Sequence, residues 1–248
     1  MLARRGAFET IDEPPRRGVT TRRRQDVQDD DPTDRREASI GFDFGRLSGR
    51  ERYKLLIGAI VPRPIALVTT VDRDGRVNAA PFSFFNCLSA DPAILAIGVE
   101  RRGDGRPKDT GRNIRDTQAF TVNIVSRALL DAMNTCAVAF EPEVDETVAA
   151  GLALRPGVAV PCPSLLASPA SFECRHHVTL AIGGSRDIVL GEVVHAHIHR
   201  DCVNERLHVD PVVLDAIGRM GGDLYASTRD LFELPTPSVA EWQAATRR

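Results

Sequence analysis

The chain has 248 residues, 42% of them hydrophobic and 27% charged, with a formal net charge of −2. That is enough to bury a substantial core. The near-balanced charge gives no general attraction to nucleic acid or a membrane surface, and no run approaches the roughly 18 apolar residues that span a bilayer. Five cysteines (Cys87, Cys136, Cys162, Cys174 and Cys202) are an odd number with no C-x-x-C pair, which argues against a disulfide framework or cysteine zinc site and fits a reducing cytoplasm.

In chain order, residues 1–45 form a separate compositional zone. Met1–Arg24 carries seven arginines against three acids, and Gln25–Asp43 seven acids against two arginines. Few aromatic or β-branched residues are present to offset the entropy of ordering, so a disordered charged tail is expected there. The early arginines precede no apolar stretch, so the segment is not a secretory signal. From Ser48 to Ile60, Tyr53, Leu55, Leu56, Ile57 and Ile60 recur at helical spacing, with Ser48 as N-cap.

Pro64–Val71 is a short β-branched run of the kind buried on both faces. Asp72-Arg73-Asp74-Gly75 supplies a turn and Val77–Phe82 a returning strand, which makes a hairpin. Pro81, Ser83 and Asn86 then interrupt an aromatic segment where that strand is expected to end. Small hydroxyls and backbone N–H groups beside aromatic rings suit a flat, polar-edged ligand.

Ile94–Val99 reads as a strand, Arg101–Pro107 as a polar loop, and Lys108–Thr117 as a helix that Asp109 or Thr110 can cap. Ala119–Val125 is a strand, and Ser126 opens a second helix reaching Val138. Residues 141–170 are loop with a helical turn at Asp145–Gly151. Phe172–Ile182 alternates, placing Phe172, Cys174, Val178, Leu180 and Ile182 on one face, and Ile188–His199 returns after the Gly183–Asp187 turn. Asp210–Ile217 reads as helical, and Leu224–Leu234 closes the domain. Six or more mostly antiparallel strands with two or three helices, lacking strand–helix alternation, fit a small barrel that hides its edges.

The string RPIALVTTVDRDGRVNAAPFSFFNCLSADPAIL resembles the flavin reductase-like family, of the flavoredoxin and nitrilotriacetate monooxygenase reductase-component type. The resemblance continues through Lys108-Asp109-Thr110 with Asn113, and into Ile217-Gly218-Arg219-Met220-Gly221-Gly222 with Tyr225. It covers roughly residues 48–236, and the domain is set at 46–238 with a C-terminal tail at 239–248. It implies a mainly β, mostly antiparallel FMN-binding split barrel, with FAD as the alternative flavin. It also implies hydride transfer from NADH or NADPH to the flavin, a homodimer, and a recipient such as a monooxygenase. A non-enzymatic, flavoredoxin-like electron carrier is the alternative reading.

FMN needs a partner for its phosphate and a holder for its ring. The helix N-terminus at Lys108, Asp109 and Thr110, with Asn113 on the same helix, is the phosphate candidate, and Arg63 or Arg106 can add charge. An ordinary surface helix with a solvated lysine is the competing reading. Ala80, Ser83, Asn86 and one of Phe84 or Phe85 are candidates for the ring, Thr69 and Thr70 for its edge or the ribityl chain, and Arg219 and Tyr225 for a late approach. No catalytic acid, base or nucleophile is expected, because the flavin carries the chemistry. Gly103-Asp104-Gly105 lacks a third glycine and a βαβ setting, so no dinucleotide domain is expected. His195, His197 and His199 alternate like a metal-binding H-x-H, but no carboxylate or cysteine partner stands at a defensible spacing. No metal site is therefore expected.

Overall fold

Strand β2 (Ala66–Val71), which follows the short β1 (Arg63–Pro64), is buried at all six positions. Successive side chains of a strand face opposite sides, so β2 must be covered on both faces. Ala66 and Val68 point into a cluster with Ile97, Val99, Phe120, Val122 and Val189. Leu67 points the other way, into a second cluster with Leu129, Met133, Leu165 and Ile217. The protein is described by a computed structural model over residues 39–141 and 144–246. The charged tail lies outside these residues up to position 38, and positions 40–46 are exposed.

The other strands are β3 (Val77–Phe82), β4 (Phe85–Ala90), β5 (Ala93–Glu100), β6 (Ala119–Ile124), β7 (Leu154–Arg155), β8 (Ser164–Leu165), β9 (Ala170–Ile182), β10 (Arg186–Ile198), β11 (Ile217–Arg219) and β12 (Tyr225–Ser227). Seven form one antiparallel sheet in the order β3-β2-β6-β9-β10-β5-β4. Its two edge strands are consecutive in the chain, joined only by Ser83 and Phe84. Laid flat, seven strands would hold the edges about 28 Å apart, whereas Phe82 to Phe85 spans at most about 11 Å. The sheet must curl into a barrel, left split where β3 meets β4. The large cluster around Phe120 and Ile97 fills its interior.

The helices are α1 (Gly49–Ala59), α2 (Asp109–Thr117), α3 (Leu130–Thr135), α4 (Glu146–Ala149), α5 (Pro211–Leu214) and α6 (Val239–Thr246). α1 begins at a reciprocal cap: the Glu51 amide donates to Ser48 Oγ (3.3 Å) and the Ser48 amide to Glu51 Oε2 (2.8 Å). No residue of α1 is buried. Arg63, itself buried, donates to the carbonyls of Ile60 and Met220 (both 2.9 Å), tying the end of α1 to the segment after β11. Ile40–Arg229 form one compact unit. Taken by itself, the following segment is helical over α6.

Other expectations need adjustment. β4 is a full edge strand where an interruption was expected, because Ser83 and Phe84 merely step from one barrel edge to the other. The helix expected over 126–138 is a single 3-10 turn (Arg127–Leu129) followed by α3, since Ser126 offers no side-chain cap and bridges to Ala216 instead. Only Pro211–Leu214 of the 210–217 segment is helical, capped by Asp210. Phe172 and Cys174 face the core, but Val178, Leu180 and Ile182 are exposed. A bulge lies between Leu190 and Gly191; beyond it β10 stays paired with β5, whereas β9 has run past its pairing with β6.

Candidate flavin site

Two grooves open beside the split and share Tyr53, Pro81, Ser83 and Ala137. One, of about 410 Å³, is floored by Asn78, Ala80, Phe82 and Phe84 and walled by the start of α2. The other, of about 650 Å³, runs past Leu130, Met133 and Asn134 to Arg219 and Tyr225. Both volumes lie in the range of cofactor and ligand pockets.

Paired cations and free helix amides meet at the α2 end of the smaller groove. Lys108 is the N-cap and has no oxygen to offer, so no side chain caps the first-turn amides. The expected caps are otherwise engaged: Asp109 pairs with Arg102 (3.0 Å) and Arg112 (2.7 Å), and Thr110 Oγ1 accepts from Asn78 Nδ2 (3.1 Å). Lys108 Nζ meets Glu100 Oε2 at 3.0 Å, and Arg186 meets the other oxygen at 2.8 Å. Burial pulls the Glu100 carboxyl upward, but these two cations outweigh it and hold the group below the usual range.

At the other end the lining is aromatic. Phe84 is 37% exposed in the groove, its ring 6.3 Å from that of Tyr53 and covered by the Arg186 guanidinium at 4.0 Å. Glu146 reaches in from α4 and accepts from the Ala79 amide at 3.0 Å; burial is the main reason its carboxyl is pushed above the usual range. In the second groove Arg219 stacks at 4.5 Å over Tyr225, its cross-strand partner, and donates to the tyrosine hydroxyl and to the Gly222 carbonyl (2.7 Å).

Of the residues singled out from sequence, Ala80, Ser83, Phe84, Lys108, Asp109 and Thr110 line the smaller groove, and Ser83, Arg219 and Tyr225 the larger. Thr70 and Asn113 lie buried beneath the α2 start, joined by a 3.1 Å hydrogen bond, and Asn113 Oδ1 is buried without a hydrogen-bond partner. Three others stand elsewhere. Thr69 is on the outer barrel face, its hydroxyl donating to the Pro163 carbonyl. Phe85 packs against the barrel interior, and exposed Asn86 accepts from the Cys87 amide (2.8 Å). Arg63 donates to backbone carbonyls and, at 3.5 Å, to Ser83 Oγ, and Arg106 pairs with Asp104 at 2.7 Å outside both grooves. Tyr53, Asn78, Glu146 and Arg186 were missed. Only the ladder Arg186↔Glu100 brings Arg186 in, and no local spacing encodes that pairing.

A family model described as "Flavin reductase like domain" matches residues 58–227. The chain belongs to the flavin reductase-like family. An uncharacterized protein of Deinococcus radiodurans is 44% identical over 209 residues, covering 82% of this chain and 92% of its own. The crystal structure of nitrilotriacetate monooxygenase component B from Bacillus cereus superposes with a TM-score of 0.76 at 29% identity, covering 79% of this chain and 98% of that one. Pseudomonas fluorescens 2-nitrobenzoate 2-nitroreductase NbaA gives 0.74 at 31% identity, covering 81% and 98%. In this flavin reductase-like domain the two grooves lie at the split of the barrel. Among the described residues no helix is long and apolar enough to cross a membrane.

Proposed function

We propose that the chain is a flavin reductase that binds FMN in the groove at the start of α2, accepts hydride from NADH or NADPH, and passes reduced flavin or electrons to a partner such as a monooxygenase. The observation that carries this is the polarity of the groove. One end presents uncapped helix amides with Lys108 and Thr110, a donor set suited to a phosphate. The other presents Phe84 and Tyr53 beside Ser83 and the β3 backbone, which suits the faces and edge of a tricyclic ring. The flavin, when bound, supplies the two-electron chemistry. The chain's part is to neutralise the phosphate, fix the ring and leave one approach open, and the larger groove past Arg219 and Tyr225 is the route proposed for the nicotinamide donor.

A second copy of the chain is proposed to pack on the exposed apolar face of Val178, Leu180 and Ile182. The five free cysteines suit a reducing, cytoplasmic setting. The deciding experiment is anaerobic addition of NADH and of NADPH to the FMN-loaded full chain, followed at the flavin absorption band. Bleaching by either nucleotide is the expected result. Bound flavin that neither nucleotide reduces would make the protein an electron carrier instead, and failure to bind flavin would remove both readings.

A further inference from the structure

We infer that Glu173, His195 and His197 form a site for one divalent cation of the zinc class on the outer face of the barrel. None of the three lines either groove. Among the described residues theirs is the one group of three or more such side chains whose ligand atoms all approach within 4.8 Å of one another.

The site is built by the sheet. Cross-strand pairing aligns Thr69, Thr121, Glu173 and His195 in one row, and Leu67, Asn123, Ser171 and His197 in the next. The polar members receive β8 and the segment that leads into it from β7. Thr121 Oγ1 donates to the Cys162 carbonyl (2.9 Å), Asn123 Oδ1 accepts from the Leu165 amide (2.8 Å), and Glu173 accepts from Val158, Ala159 and Val160.

Two features point beyond a structural clamp. The first is the distribution of donors on Glu173, which is wholly buried. Oε2 takes the Ala159 (2.6 Å) and Val160 (3.1 Å) amides and a share of Val158, while Oε1 has only the other share of Val158 (2.9 Å). Oε1 therefore keeps a lone pair, and it is the oxygen 3.4 Å from His197 Nε2. That nitrogen is itself buried and has no hydrogen-bond partner. The second is a register shift between Val193 and His195. Pairing continued without it from Val193↔Cys174 would set Val194 opposite Glu173 and turn the histidines toward the barrel interior. The bulge moves both onto the carboxylate's face, with their rings 4.7 Å apart and edge to face. Two imidazoles and a carboxylate form a zinc-type donor set and leave a coordination position for water. Both histidines are partly exposed, so a cation can enter. His199 lies beyond β10, is exposed, and is not included.

The sequence offered an H-x-H without a carboxylate. The structure supplies one from the neighbouring strand. A bound cation would join β9, β10 and the 158–160 backbone at one point, so it should raise the melting temperature.

The test uses tag-free, full-length protein stripped with chelator and dialysed free of it, then titrated calorimetrically with Zn²⁺ and spectroscopically with Co²⁺. The expected result is one equivalent per chain, visible d–d absorption from cobalt, and a higher Tm with metal. His195→Gln and His197→Gln should each weaken binding by at least about 100-fold, since even outer-shell changes at metal sites cost 10- to 100-fold, while FMN content and circular dichroism stay unchanged. Glu173→Gln should also abolish binding, but it loosens the 158–160 segment, so the histidine variants decide. No bound equivalent in the wild type, or unaltered binding in both histidine variants, overturns the inference and leaves the contact between His197 and Glu173 as part of the clamp on the loop.

Discussion

The Gly98 amide donates to the Phe84 carbonyl at 2.7 Å, so the two-residue step between the barrel edges is fastened to β5 at the same residue that floors the smaller groove. This contact requires the missing side chain of Gly98. A Cβ there would stand 2.9 Å from Phe84 Cβ and 3.2 Å from Arg186 Cδ. Gly98→Ala is therefore expected to destabilise the fold by about 1–3 kcal/mol through overpacking and to displace Phe84 and Arg186 from the groove. Thermal melts should show a Tm several degrees lower, together with weaker FMN binding. An unchanged Tm and affinity would mean the split tolerates expansion.

Lys108 and Phe84 make separable predictions. Lys108 is half exposed and already paired with Glu100, so its contact with a phosphate is discounted to about 1–2 kcal/mol. Lys108→Ala should weaken FMN roughly 5- to 30-fold and leave riboflavin, which has no phosphate, nearly unchanged. Phe84→Ala should weaken both ligands alike by about 0.5–1.5 kcal/mol, the value of an aromatic contact. Fluorescence titration with the two flavins measures both, and equal losses in Lys108→Ala would refute the phosphate assignment. Glu100→Gln releases the lysine and should tighten FMN without affecting riboflavin.

The hairpin from Pro64 to Phe82 could be read directly because a β-branched run and a D-x-D-G turn are local signals. Ser48 caps α1 as expected, because a cap acts over three residues; Asp145 and Asp210 also cap helices, whereas Ser126, Asp109 and Thr110 do not. The groove residues within one stretch, Ala80 to Phe84 and Lys108 to Thr110, could be read likewise. What could not be read depends on pairing between distant strands. Thr69 and Thr70 are adjacent, and only the side of the curled sheet each faces sends one to the Pro163 carbonyl and the other beneath α2. Phe84 and Phe85 divide in the same way, one lining the groove and the other packing on the core. Arg186 and Glu146 reach the groove from elements far along the chain, and a single bulge decides that His195 rather than Val194 faces Glu173.

Glu146 makes a pH prediction. Burial pushes its carboxyl above the ordinary 4.5. A raised acid binds its proton more tightly in the folded state, so folding is favoured fully below the unfolded value. Stability is lost as pH rises from about there to the folded pKa, and the penalty persists at all higher pH. Glu146→Gln keeps an oxygen for the Ala79 amide and removes the titration. The variant should melt higher than wild type at pH 7 and converge with it near pH 4. A lower Tm at pH 7 would show that the ionised carboxylate is needed by the groove.

The apolar face of the long hairpin tests the second copy. Leu180 pairs across the ladder with Ile188, Val178 with Leu190, and Ile182 with Arg186, so these side chains share one surface. Leu180 and Ile182 are 46% and 56% exposed. A row of large apolar groups open to water is costly, at roughly 25 cal/mol per Å² of apolar surface, and burial against another chain recovers that energy. Leu180→Asp puts a charge at the middle of the row, and desolvating it should block association. Sedimentation velocity is expected to show a dimer for the wild type and a monomer for the variant. Arg186 lies on this surface and also rims the smaller groove proposed for FMN, so the monomer should bind FMN more weakly than the dimer. A monomeric variant with undiminished FMN affinity would mean that each chain carries a complete flavin site. A variant that stays dimeric would move the interface elsewhere, and α1 with its C-cap, where Tyr53, Leu56 and Ile60 are exposed, would be the next surface to test.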